Sequence, residues 1–360
     1  MPPGRFDRDA MSLVARRELL GAFAALSCRP ADALEAVVPT LLREERTLFG
    51  SPCEVALSAT PPADARAALA EAWRDLEEIN RRWNAWKPGE LTALNAAFRA
   101  GRAAPASPLL RAMVLRARDL EQASGGLFNP GIGGLVGAWG FHADVLRDDP
   151  APSAAQRRHW LAARPSLAQI EVRGALMRSS NPGLQLDFGA YAKGVAIDLV
   201  LDRLQASDCA AALVNLGGNL AVMGQVGARP WRIGIRDPFG RGVVATLDTA
   251  GREAVVTSGS YERHRLADGQ RVTHIIDPDR AAPAPDVISV TVVHPSAGHA
   301  DAAATALLVA GRSRWQRVAR RLGVDQVLLI DRHGAAEVMP RLAQRLAVAD
   351  PEWRRRIRPA

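Results

Sequence analysis

The stretch W-R-I-G-I-R-D-P-F-G-R-G-V-V-A-T-L-D-T-A-G-R-E-A-V-V-T, Trp231–Thr257, holds three short β-prone runs in succession. Trp231–Ile235, Val243–Leu247 and Ala254–Thr257 are divided only by segments rich in Asp, Pro and Gly. Gaps of that kind join antiparallel strands, because a parallel pair needs a crossover of about a dozen residues or more. The pattern repeats outward. Cys53–Ser58, Ala211–Leu216, Val287–Val293 and Gln326–Ile330 read as strands, and Ile170–Leu186 as a hairpin turning at Arg173-Gly174. Ala63–Trp86, Leu109–Ser124, Lys193–Leu204, Ala302–Ala310 and Arg314–Leu322 read as helices, the fourth stopped by Gly311. Arg147–Arg164 is polar, with two prolines, and reads as an insertion or a small helical excursion. Strands in hairpin-like runs with helices grouped between them predict an α+β fold with a largely antiparallel sheet.

The 360 residues carry 48% hydrophobic and 23% charged side chains, which are globular values. The net charge of +8 does not imply nucleic acid. The arginines are scattered through Ala-rich sequence, and no zinc-finger spacing or basic stripe with interleaved aromatics occurs. The one dense cluster, Arg354–Arg356 with Arg358, reads as a solvated basic tail over 346–360.

Only two lysines stand among the 46 basic residues, Lys87 and Lys193. The second sits in D-F-G-A-Y-A-K-G, Asp187–Gly194, at the start of a helix and among small residues. Free N–H groups at such a helix start attract anions, and a compact ammonium adds to that. In H-A-D-A-A-A-T-A, His299–Ala306, Asp301 and Thr305 fall four apart and share one helix face. Their hard oxygens suit Mg²⁺, which also takes phosphate oxygens. Each residue has a plainer reading too. Asp301 fits a helix N-cap, Lys193 a surface lysine, and Gly217-Gly218-Asn219 a turn as well as a ligand cradle. His274, in T-H-I-I-D-P, fits a general base or a structural histidine.

At the N-terminus, Arg16-Arg17 precede the apolar run Leu19–Leu26, and Ala31-Asp32-Ala33 supplies small residues at signal-peptidase spacing. This predicts an export signal over 1–33, twin-arginine-like apart from Glu18, and a periplasmic or otherwise exported protein. The mature chain has no segment long enough to span a bilayer. Cys53 and Cys209 fit no metal-site spacing and establish no disulfide.

Taken in order, the motifs resemble the ApbE family, the FAD:protein FMN transferases. The resemblance rests on L-F-N-P-G-I-G-G-L-V-G-A-W-G-F (Leu127–Phe141), D-F-G-A-Y-A-K-G, V-N-L-G-G-N (Val214–Asn219), T-S-G-S-Y (Thr257–Tyr261), H-I-I-D-P (His274–Pro278) and A-D-A-A-A-T-A (Ala300–Ala306). Upstream, F-G-S-P (Phe49–Pro52) and W-N-A-W-K-P-G-E-L-T-A-L-N (Trp83–Asn95) extend it. It implies one flavin-transferase domain, over about 45–345. The reaction it implies splits FAD, passes FMN to a Ser or Thr of an exported or membrane-associated acceptor flavoprotein, and releases AMP. By resemblance, Mg²⁺ would be held by Asp301, Thr305 and the Ala190 carbonyl. FAD would be held by Phe49, Trp86, Asn129, Asp187, Lys193 and Ile276, with His274 and Asp301 catalytic. Asn129 and Ser260 depart from the family's usual residues, and Ala304 stands where some members carry a second acid. Two other functions remain open on the sequence: a flavin carrier or maturation factor that binds FAD without transferring it, and a Mg²⁺-dependent FAD pyrophosphatase.

Overall fold

The computed structural model describes residues 41–58, 62–207, 209–284 and 286–360, all within the contact unit Pro39–Ala360. The expected export signal, 1–33, lies outside the described residues. The main sheet has nine strands. They are β1 (Leu41–Leu48), β2 (Ser51–Ser58), β3 (Ala211–Leu216), β4 (Asn219–Gly224), β5 (Glu253–Gly259), β6 (Val287–His294), β7 (Val327–Asp331), β8 (Ala336–Val338) and β9 (Ile357–Pro359). They lie side by side in sequence order, and every pairing is antiparallel except β8 with β9. This is the expected α+β, largely antiparallel fold.

Alternation along the strands sorts side chains to the two faces. Val256, Val292 and Leu329 join the main core, which includes α1 (Pro62–Arg82), α2 (Pro108–Ser124), α3 (Ala192–Ala206) and α4 (Ala297–Leu322). Their neighbours Val255, Val293 and Leu328 face a second core under the hairpin Arg232–Arg236 with Val243–Asp248. The opening stretch of sequence thus splits. Its first two strands form that separate hairpin, and the third enters the main sheet as β5.

Two local expectations hold and a third changes. Ala302–Ala310 and Arg314–Leu322 both lie in α4, and the backbone at Gly311 between them is non-helical, with φ of 65°, so helical geometry breaks where the sequence placed the stop. Gly217-Gly218 is the tight turn of the β3–β4 hairpin, with φ of 64° and 92°. The residues 346–360 do not form a free tail. The short helix Pro351–Arg356 buries Trp353, whose indole donates to Asp237 Oδ2 at 2.9 Å, and β9 completes the sheet. The arginine side chains there are exposed, so the charge reading holds while the backbone is ordered by the sheet and one tryptophan.

The helices α3 and α4 cross at Gly194. Asp301 of α4 accepts the Gly194 N–H at 3.1 Å, at the start of α3. Asp198 of α3 returns the favour at the start of α4, accepting Ala297 N at 2.8 Å, Gly298 N at 2.9 Å and Ser296 Oγ at 2.7 Å. Each helix therefore supplies the carboxylate that satisfies orphan donors of the other. The approach leaves no room for a side chain, since a Cβ on Gly194 would lie 2.3 Å from the Ala297 carbonyl oxygen. Gly194→Ala is expected to cost about 2 kcal/mol or more, because backbone must shift to admit the methyl. Gly242→Ala, where a Cβ meets nothing within 4 Å, serves as control. Urea midpoints of the two variants check this.

Candidate active site

The site grows from that crossing. Asp301 is 3% exposed and lies inside α4, whose N-cap is Ser296, accepting from His299 N at 3.2 Å. The N-cap reading of Asp301 is therefore replaced: it caps α3 instead of its own helix. Gly194 is the third residue of α3, so its N–H is one of the four at the helix start with no intrahelical acceptor, and Asp301 satisfies it. The Ala190 carbonyl, just before the helix, accepts no backbone N–H among the described residues. Burial pushes the Asp301 carboxyl above the ordinary carboxylate value. The Lys193 charge, the Gly194 N–H and the nearby Asn219 amide oppose this without cancelling it. One turn along α4, Thr305 Oγ1 lies 3.2 Å from Ser258 Oγ of β5.

Lys193 is half-buried, which removes the surface-lysine reading. Its charge is felt by Asp301, by the buried thiol of Cys53 and by His274. Cys53 and Cys209 are both buried. The His274 ring uses Nδ1 to donate to the Arg263 carbonyl at 3.0 Å, because a carbonyl can only accept. This leaves Nε2 as the nitrogen with a free lone pair. Burial, helped by Lys193 and Arg263, pushes His274 down to about 4, so it is neutral at pH 7.

A second group adjoins His274. Asp187 Oδ2 pairs with His142 Nε2 at 2.9 Å, and Asp187 Oδ1 accepts Gly189 N at 2.8 Å. Burial opposes its charge, but the His142 contact, the Gly189 N–H and Arg263 together hold Asp187 below the usual carboxylate range. His142 stacks on Trp86, with centroids 5.5 Å apart, and the Arg263 guanidinium lies 5.3 Å from the Trp86 ring centre. The Trp86 indole N–H is buried without a hydrogen-bond partner. Phe49 sits at the β1–β2 turn with φ of 53°, its N–H donating to Asn80 Oδ1 at 3.2 Å.

Asn129 and Ile276 belong to adjoining ground. Asn129 spends its amide on the chain, donating to Pro165 O at 2.8 Å and accepting from Gly131 N at 2.8 Å. Together with Ile132, Pro278 and Asp279 it lines a cavity of about 480 Å³. The Leu127–Phe141 and His274–Pro278 motifs thus meet at one cavity, with Ile276 buried in the apolar cluster beside Ile132. Ala304 is fully buried in the main core, so that position faces apolar neighbours. Ser260 N is held by the Ile288 carbonyl at 2.9 Å.

Sequence reasoning did not single out His142, Asp198 or Arg263. The aromatic run W-G-F ahead of His142 offered a signal, whereas a helical Asp and one Arg among many offered none. Among the described residues no group of three His, Cys, Asp or Glu side chains stands ready for a metal ion. The carboxylate, hydroxyl and carbonyl of Asp301, Thr305 and Ala190 form an all-oxygen set, the kind a hard cation takes. Among the described residues no helix is long and apolar enough to cross a membrane.

Lys193 at the start of α3 thus acts electrostatically on both the buried Asp301 carboxyl and the neutral His274 ring. The chain belongs to the ApbE family, whose profile matches residues 49–328. A FAD:protein FMN transferase of Rhodobacter capsulatus is 43% identical over 303 residues, 84% of this chain and 58% of the relative. The chain therefore spans less than two thirds of that protein's length. A FAD:protein FMN transferase of Treponema pallidum is 35% identical over 306 residues, covering 78% of this chain and 82% of the relative. The solved structure of flavinyl transferase ApbE of Pseudomonas stutzeri matches with a TM-score of 0.75 at 26% identity, over 86% of this chain and 98% of that one.

The cavity wall also holds Glu121, 5% exposed, which accepts Leu167 N at 2.9 Å. Burial raises its carboxyl to about 7. An acid whose folded pKa is raised stabilises the fold below its unfolded value and loses that contribution as pH climbs through the folded one. Between about pH 4.5 and 7.5 wild type is expected to lose roughly 3 kcal/mol relative to Glu121→Gln, which cannot ionise. Urea unfolding of both proteins at pH 5 and pH 7.5 measures the difference. Parallel behaviour would show that Glu121 titrates normally.

Proposed function

We propose that this chain is a Mg²⁺-dependent FAD:protein FMN transferase, acting on a Ser or Thr of an acceptor flavoprotein. One observation carries the reading: Asp301 and Lys193, which come from distant motifs, are held against one another's helices by the Gly194 contact. An anionic pyrophosphate needs positive charge and N–H donors on one side, and the start of α3 with Lys193 supplies both.

Asp301, Thr305 and the Ala190 carbonyl would hold Mg²⁺. The fit rests on the Ala190 carbonyl, which accepts no backbone N–H among the described residues, and on a buried carboxyl that lacks enough positive charge to ionise at its usual value. When bound, the ion neutralises phosphate charge and steadies the departing AMP. Lys193 binds pyrophosphate oxygens from the α3 side. Asp187, Trp86, Phe49, Ile276 and the Asn129 wall receive the flavin and adenine ends. The acceptor hydroxyl oxygen forms a bond to the FMN phosphorus, and the pyrophosphate bond to AMP breaks. The hydroxyl proton passes to His274 Nε2, whose neutral state keeps it available as a base. We place the acceptor outside the cytoplasm, on the strength of Arg16-Arg17 and the apolar run that follows.

Incubation with FAD and Mg²⁺, with and without a Ser/Thr-bearing acceptor flavoprotein, separates the readings. Acceptor-dependent AMP release with flavin covalently on the acceptor is expected. AMP and FMN release without acceptor marks a pyrophosphatase, and bound FAD without cleavage marks a carrier. Asp301→Asn keeps an oxygen for Gly194 but loses the charge, so turnover is expected to fall about a hundredfold or more with FAD still bound. Lys193→Ala is expected to weaken FAD binding, and His274→Ala to spare binding and slow transfer. Full turnover by Asp301→Asn, or full activity in EDTA, would return Asp301 to a purely structural role.

A further inference from the structure

Arg263 links several parts of the second group through its backbone carbonyl and its side chain. Its carbonyl receives both the ring Nδ1 of His274, at 3.0 Å, and the His274 backbone N–H, at 3.3 Å. Its guanidinium donates to the carbonyls of Phe141, at 3.0 Å, and of Ala143. Those two residues flank His142, the partner of Asp187. The Phe141 ring meets His274 edge-on at 6.2 Å. The same guanidinium lies over Trp86. A Cβ on Gly137 would sit 2.9 Å from His142 Nδ1, so the imidazole is backed by main chain on its other side.

We infer that Arg263 is a positioning residue for the transfer reaction. Its carbonyl fixes the His274 ring with Nε2 as the free nitrogen. Its guanidinium clamps the Phe141–Ala143 segment, so that the His142–Asp187 pair stays beside that ring. The inference rests on the reading of His274 as the base. A guanidinium suits the task because it can serve two carbonyls and an aromatic face at once, which an ammonium cannot do in the same geometry.

The charge of Arg263 matters separately from its hydrogen bonds. The charged groups facing His274 are Lys193, Arg263 and Asp187. The two cations disfavour the imidazolium and Asp187 favours it. Removing one cation therefore moves the His274 titration upward, while restoring a lysine returns the charge without the paired hydrogen bonds.

The test uses Arg263→Met, Arg263→Lys, His274→Ala and the double variant Arg263→Met/His274→Ala. Histidine ¹⁵N NMR of the protein without FAD reads the tautomer and titration of His274. Wild type is expected as the Nδ1–H form. In Arg263→Met the titration should move up by about one pH unit, and in Arg263→Lys it should stay near wild type. With FAD, Mg²⁺ and acceptor, kcat should fall roughly ten- to a hundredfold in Arg263→Met and about tenfold in Arg263→Lys. The KM for FAD should change much less, as expected for a misplaced base. In the His274→Ala background, Arg263→Met should add less than about a twofold loss, because it acts through that ring. An Nε2–H tautomer in wild type, an unmoved titration, or full additivity in the double variant would overturn the inference. If His274→Ala alone leaves kcat unchanged, the base assignment fails instead. Should Arg263→Met not fold, the lysine variant decides by itself: unchanged kcat there overturns the clamp.

Discussion

The exchange of carboxylates between α3 and α4 is the contact on which the rest depends. Asp301 closes the start of α3, and Asp198 closes the start of α4 with three donors. Each cap is worth about 1 kcal/mol on its own, and more where the carboxylate is buried and charge-assisted. Their larger effect is geometric. They bring the two helix starts so close that only glycine fits at 194, and the Lys193 charge acts on Asp301 there. The Ala190 carbonyl, just before α3, accepts no backbone N–H among the described residues and lies at the same helix start.

The charges around this joint are arranged in opposition. Burial drives Asp301 toward its neutral form, and Lys193 pulls it back only in part. Asp187 goes the other way, because His142, Gly189 and Arg263 supply enough compensation to keep it ionised. Two carboxylates a few residues from the same helix start therefore sit in contrasting electrostatic states. The under-compensated one is the natural place for an added cation, and the compensated one is already at rest. His274, kept neutral by burial and by two neighbouring cations, lies between them in character. A base held neutral this way accepts a proton reluctantly until negative charge arrives nearby, which a pyrophosphate would bring.

Much of this was legible in the residues. Apolar alternation marked β2, β3, β5, β6 and β7, and the ordered motifs pointed to Asp187, Lys193, His274, Asp301 and Thr305 before any contact was known. β1 was missed because L-L-R-E-E-R-T-L shows no buried face: it is an edge strand, exposed along nearly its whole length and paired on one side only. The order in 346–360 was hidden by arginines, since one buried tryptophan outweighs a run of solvated charges. The stop expected at Gly311 is there as non-helical backbone, with the second helix beyond it. Arg263 and His142 carried no periodic signal at all. Their importance comes from long-range contacts, Arg263 reaching Phe141 and His142 reaching Asp187, which a linear pattern does not encode.

The central claim is that the α3–α4 joint builds a cation site from Asp301, Thr305 and the Ala190 carbonyl next to a phosphate-binding helix start. Anomalous scattering from crystals grown with FAD and Mn²⁺ in place of Mg²⁺ tests it most directly. The account predicts one strong peak within about 2.0–2.3 Å of an Asp301 carboxylate oxygen, the Thr305 hydroxyl and the Ala190 carbonyl, with FAD phosphate oxygens completing the shell. FAD bound in the cleft with the manganese peak elsewhere, or with no peak, would contradict it.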